Sequence, residues 1–154
     1  MLHTAQAPLA AGDRKVDRLL AHYGESHRHP TNELIHFVAI PAIMLSIVGL
    51  LFALHPWVAY TFVGASLVYY ATLRSPVFLA TMLAGTALLL GAVHALGTLV
   101  LPVSAAIFVI AWVFQFVGHK IEGRKPSFFE DIQYLWVGPL FVLSRLFLRL
   151  GIRW

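Results

Sequence analysis

No cysteine occurs in the 154 residues, so disulfides and thiolate metal sites are excluded, and any bound metal must be held by His, Asp or Glu. Charge is scarce as well. Asp, Glu, Lys and Arg make up 12% of the chain against 59% hydrophobic residues, with a mean hydropathy of +0.78, well outside the range of ordinary soluble domains. A Gly-rich dinucleotide fingerprint is missing, and the chain has no room for a nucleotide-binding domain. No internal repeat stands out. The first 33 residues lack a cleavable signal peptide, because their short apolar stretch, Ala5–Ala11, is broken by Pro8 and has no basic flank before it. The C-terminus carries no retention signal, which favours a bacterial inner membrane over an endoplasmic reticulum.

What is present is apolar sequence in long runs: Leu34–Leu54, Trp57–Leu73, Val77–Leu101 and Ala105–Val117, each close to the ~20 residues that carry a helix across ~30 Å of hydrocarbon. The expected fold is all-α, a polytopic bundle with four transmembrane helices. Residues 1–12 read as a disordered tail and 13–154 as a single membrane-embedded domain. Before the first crossing, Arg14–Glu25 forms a short amphipathic helix with Val16, Leu19, Leu20 and Tyr23 at helical spacing. It is expected to lie on the membrane or over the mouth of the bundle.

Lysine and arginine are absent near His55–Pro56 and Leu99–Pro102 but present in the amino-terminal stretch, at Arg74 and over Lys120–Lys125. Short basic loops stay cytoplasmic, so both termini and all seven acidic residues are expected on that side. Ile132–Trp154 is interrupted by Gly138–Pro139, and a fifth crossing would carry Arg145, Arg149 and Arg153 to the wrong face. The segment is expected to be re-entrant or interfacial, with its arginines at the headgroups and Leu146, Phe147, Leu148 and Leu150 in the acyl region. A true fifth helix stays open as the alternative.

Chemistry gathers at the charged face. Pro30 forces the preceding residue out of the α region, so the first helix should end near Arg28, with Thr31 or Asn32 capping the next and Glu33 in its first turn. His36 follows Asn32 by one helical step, and Gln115, His119 and Glu122 share one face of the fourth membrane helix. With four crossings, the start of the first membrane helix and the end of the fourth share a side, so His27, His36, His119 and Glu122 can converge. Imidazole and carboxylate with open positions suit ferrous iron, and zinc is the main competitor. A single interfacial histidine is more simply a wet polar anchor, but polar groups inside a membrane are expensive and usually functional. His22 and His29 are alternates near the site, His94 is about 25 Å down the third helix at 1.5 Å per residue, and His3 and His55 lie in the tail and the outer loop.

Tyr23-x-x-x-His27-x-x-Pro30-x-Asn32-x-x-x-His36-x-x-x-x-Pro41, with Trp112-Val-Phe-Gln115-Phe-Val-Gly118-His119, Glu122 and Pro126 behind it, resembles the 2-hydroxy fatty acid dioxygenase family over about residues 16–150. The resemblance implies a small multi-pass membrane enzyme that uses Fe2+ and O2 to shorten a 2-hydroxy fatty acid by one carbon with release of CO2, a step of fatty acid α-oxidation. It maps the family histidines onto His27, His36 and His119. The spacing from His119 to an acidic residue departs from the family pattern, and Glu130–Asp131 only approximates an acidic position after Pro126. That reaction removes four electrons from the substrate, as many as reduce O2 to water, so no nicotinamide or 2-oxoglutarate is required. Under this reading Glu122 is a possible fourth ligand, Tyr23, Asn32 and Gln115 orient the site, and Arg28, Lys120 or Arg124 steers the substrate carboxylate.

Other readings predict other observables. A di-iron hydroxylase or desaturase needs denser histidine clusters than these eight scattered ones. A non-catalytic lipid-binding protein or small transporter would use His36 and His119 as proton relays, but transporters favour repeats and midplane sites. A haem protein would need axial histidines, and His36 and His94 lie at different depths. The lipid bilayer is the expected environment, and no nucleic acid partner is expected.

Overall fold

The computed structural model describes residues 14–123 and 134–154; the tail 1–12, Arg124, Glu130 and Asp131 lie outside the described residues. Among the described residues there are six helices and no strand: α1 Lys15–Gly24, α2 Pro30–Leu54, α3 Pro56–Thr72, α4 Pro76–Ala95, α5 Val100–Ile121 and α6 Val137–Leu150. The all-α bundle expected from composition is the fold observed.

Three helices open the same way. Pro30, Pro56 and Pro76 each fill a first-turn position of α2, α3 and α4, where the missing N–H is no loss and φ is already helical. The residue before each is extended, and its side chain accepts a backbone N–H: His29 from Thr31 at 3.2 Å, His55 from Trp57 at 3.3 Å and Ser75 from Phe78 at 3.4 Å. The cap of α2 is therefore His29, and not Thr31 or Asn32, because the helix begins one proline earlier than expected. α1 also stops sooner than Arg28, at Gly24, and the N–H groups of Ser26 and His27 bond back to Tyr23 and Gly24.

The expectation of four long spans is corrected to three: α2 with 25 residues, α4 with 20, and the 25-residue stretch Gly97–Ile121 are long and apolar enough to cross a membrane. α3 has 17 residues, about 25 Å of helix. It still returns the chain along the bundle. At one end Val48, Ala59 and Val93 pack together with Val100 beside them; at the other, Tyr70, Leu73 and Phe78 join Val16, Leu20 and Tyr23. α2, α3, α4 and α5 thus run alternately between the two clusters. Val77–Leu101 is not one helix either: α4 ends at Ala95, and Gly97 takes φ +52, a left-handed turn that glycine adopts without a Cβ clash. Many large apolar side chains on the long helices, among them Leu34, Val38, Leu88, Val109, Ile110 and Phe114, face outward, as in a bundle solvated by lipid.

α6 is only 14 residues long, short of the ~20 needed to cross. With α1 it covers the end of the bundle where α2 begins, burying Val137, Leu140, Phe141 and Phe147 against Val16, Leu20 and Tyr23. Full burial of such side chains contributes about 1.5–3 kcal/mol each. The face expected for this helix is corrected at two positions, since Phe147 and Arg145 point inward and are buried, while Leu146, Leu148 and Leu150 face outward.

Candidate metal centre

Three histidines from three segments meet where α1, α2 and α5 converge. His27 sits in the turn after α1, His36 near the start of α2, and His119 in the last turn of α5. All are buried, His36 completely. One ligand atom from each lies within 4.8 Å of the others, and the ring centroids stand 4.3 Å (His27–His36), 5.2 Å (His36–His119) and 5.5 Å (His27–His119) apart. Gly118 makes the approach possible: a Cβ there would collide with Asn32 Oδ1 and meet His36 Cε1 at 3.4 Å.

Two of the rings have their tautomer fixed by the backbone. His27 Nδ1 lies 2.8 Å from the Tyr23 carbonyl and His36 Nδ1 lies 2.9 Å from the Asn32 carbonyl. A carbonyl oxygen only accepts, so each Nδ1 carries the proton and each Nε2 keeps its lone pair, as ligating histidines do. The Nε2 atoms of His27, His36 and His119 are all buried. Three converging imidazoles without thiolate fit ferrous iron or zinc and leave coordination positions for further ligands. Among the described residues, this is the group whose donor atoms are close enough to share an ion.

Glu122 does not join them. Its two oxygens accept the backbone N–H groups of Arg28 and His29, each at 2.9 Å, and the Asn32 side-chain amide at 3.0 Å. It ties the end of α5 to the turn holding His27. Burial alone would raise its pKa, but the bonds from His29, Asn32 and Arg28 outweigh that and hold the carboxyl below its ordinary value.

Tyr23 stacks on His27 at 4.2 Å and 7° and takes that ring's N–H on its carbonyl. Asn32 and Gln115 are buried within a turn of His36 and His119, and Asn32 Oδ1 and Gln115 Oε1 have no hydrogen-bond partner among the described residues. Arg28 and Lys120, expected to steer a carboxylate, are exposed, and Arg124 lies outside the described residues. His22 is exposed and bonded to the Tyr134 hydroxyl at 2.9 Å, and His29 caps α2, so neither alternate enters the group. His94 pairs with Tyr60 at 3.0 Å beside Phe52 at the far end.

Sequence reasoning missed Phe141 and the pairing of Glu33 with Arg145. The Phe141 ring packs 5.5 Å from His27 and 5.0 Å from Tyr23. Glu33 and Arg145 are both buried, 6% exposed, and face each other at 3.8 Å. Glu33 precedes His36 by one helical turn, a spacing visible in the chain; nothing local marks Arg145 as its partner.

A model of the family described as "Mpo1-like: 2-hydroxy-palmitic acid dioxygenase Mpo1-like" matches residues 14–150. The 2-hydroxy-palmitic acid dioxygenase MPO1 of Saccharomyces cerevisiae is 29% identical over 138 residues, covering 86% of this chain and 79% of the yeast protein. No solved structure matches. The matched stretch takes in His27, His36, His119 and the helices that position them, and the chain belongs to the Mpo1-like family.

Proposed function

We propose that this membrane protein is an Fe(II)-dependent dioxygenase that converts a 2-hydroxy fatty acid and O2 into the acid one carbon shorter, CO2 and water. The observation that carries the reading is the buried His27–His36–His119 group, with donor atoms within 4.8 Å of one another, at the charged end of an apolar bundle. The name of the yeast relative supports the substrate class.

His27, His36 and His119 would hold the iron, which would supply open coordination positions and redox chemistry toward O2. The rest is done by the chain. The Tyr23 and Asn32 carbonyls hold two imidazoles in the ligating tautomer, and Glu122 fixes the turn that carries His27. The Tyr23 and Phe141 rings pack against His27 and hold its plane. Gln115 Oε1, a buried acceptor one helical turn before His119, would take a hydrogen bond from the substrate hydroxyl. The alkyl chain remains among the apolar helices.

The test is stoichiometric. Protein loaded anaerobically with ferrous iron, then given 2-hydroxyhexadecanoic acid labelled at C1 and O2, is expected to release the label as CO2 and form pentadecanoic acid in proportion to the O2 consumed. Absence of the shortened acid rejects the reaction. Turnover with zinc in place of iron rejects the metal.

A further inference from the structure

Arg145 is 6% exposed and lies on α6 with its guanidinium 5.0 Å above the ring of Phe141, the ring that packs 5.5 Å from His27. Its opposite charge is Glu33, also 6% exposed, one helical turn from His36 on α2. The pair is not a closed one. Arg145 Nε stands 3.8 Å from Glu33 Oε2, beyond hydrogen-bond reach, and Arg149 Nη2 approaches Glu33 Oε1 only to 3.9 Å while stacking over Phe37. Among the described residues, neither Arg145 Nε nor Glu33 Oε1 has a hydrogen-bond partner. The Arg149 side chain is 61% exposed, so the buried part of the cluster is the Arg145–Glu33 pair, in which Arg145 Nε is an unused donor among the described residues.

Burying a guanidinium is costly unless its charge and its N–H groups are both satisfied. A pair built only to fasten α6 to α2 would gain most by closing to a bidentate contact. A buried Arg with an unused donor, flanked by the exposed Arg149, is instead suited to a further anion, and the planar fork of Arg matches a carboxylate. Phe141 packs against both the Arg145 guanidinium and the His27 ring, so a carboxylate seated at Arg145 lies one side chain away from the histidine centre. Resting on the reading of this centre as one that takes 2-hydroxy fatty acids, we propose that Arg145, with Arg149, binds the substrate carboxylate and confers preference for free acids over esters. Glu33 holds the two guanidinium groups in place and weakens the site by competing for them.

The experiment measures binding to the full chain, metal-free in detergent, of 2-hydroxyhexadecanoic acid and of its methyl ester, by displacement of a fluorescent fatty acid. Wild type is expected to prefer the acid. Arg145→Gln should lose that preference, weakening acid binding by about tenfold or more while leaving the ester unchanged, with Arg145→Lys in between. Glu33→Gln should tighten acid binding, a change that removing a structural strut would not produce. Equal binding of acid and ester by wild type overturns the proposal. So does unchanged acid affinity in Arg145→Lys, or failure of Glu33→Gln to tighten it, and these two variants decide the matter where Arg145→Gln does not fold. Because no metal is present, an Arg145-dependent preference for the acid stands even where the iron chemistry fails. Iron-dependent turnover with no such preference sinks this proposal alone.

Discussion

The rings of His27 and His36 stand edge to face, 4.3 Å apart, and each is held by the same device: its Nδ1 bonds the backbone carbonyl four residues earlier, Tyr23 for one and Asn32 for the other. One of these carbonyls belongs to the end of α1 and the other to the first turn of α2. Both imidazoles are therefore aimed by backbone carbonyls of their own segments, with His119 arriving from α5.

Gly118 is the point at which this arrangement has no slack, since a Cβ would strike Asn32 and crowd His36. Gly118→Ala is expected to cost about 1–3 kcal/mol of stability and to lower metal affinity about tenfold through displacement of His36. Thermal unfolding in detergent and competition with a metal indicator check the two effects.

Gly49 offers the matching control at the other end of the α2–α5 contact, where a Cβ would collide with the Ser104 hydroxyl. Gly49→Ala is expected to destabilise by a similar ~1–3 kcal/mol with metal content per folded chain unchanged. Loss of metal in the folded fraction would mean that the centre is coupled to packing along the whole bundle.

Glu122 contributes stability through its ionised form. Its folded pKa lies below the ordinary value of 4.5, so the contribution is fully present above that value and is lost as pH falls through the lower folded one. The carboxylate is partly exposed, and solvent screening keeps the contribution near ~1 kcal/mol. Wild type should exceed Glu122→Gln in unfolding temperature at neutral pH, and the two should converge in acid. A constant gap down to low pH would contradict the assignment.

His22→Ala, His29→Ala and His94→Ala should all retain metal, because none of these rings enters the histidine group. His29→Ala removes the cap of α2 and is expected to cost about 1 kcal/mol.

The helical bundle and its histidine centre were legible in the chain because they rest on long-range bookkeeping that sequence preserves: apolar runs, prolines and uncharged outer turns. The convergence of His27, His36 and His119 followed from a count of crossings, and it survives although α3 is shorter than a full span. Local geometry was less accessible. Glu122 follows His119 at the right spacing for a ligand, yet its oxygens turn to the backbone of Arg28 and His29, because α5 ends at Ile121 and Glu122, its C-cap, meets the incoming turn. Arg145 and Arg149 share a helical face that reads as interfacial. Only tertiary packing brings Glu33 opposite that face and turns Arg145 inward.

The most direct measurement is the metal content of protein purified in detergent without chelators, by elemental mass spectrometry, for wild type, His27→Ala, His36→Ala and His119→Ala. About one iron per chain in wild type, lost in each variant, is the expected result. No metal even after anaerobic ferrous loading, or iron retained when His119 is removed, would contradict a metal centre built on these three histidines.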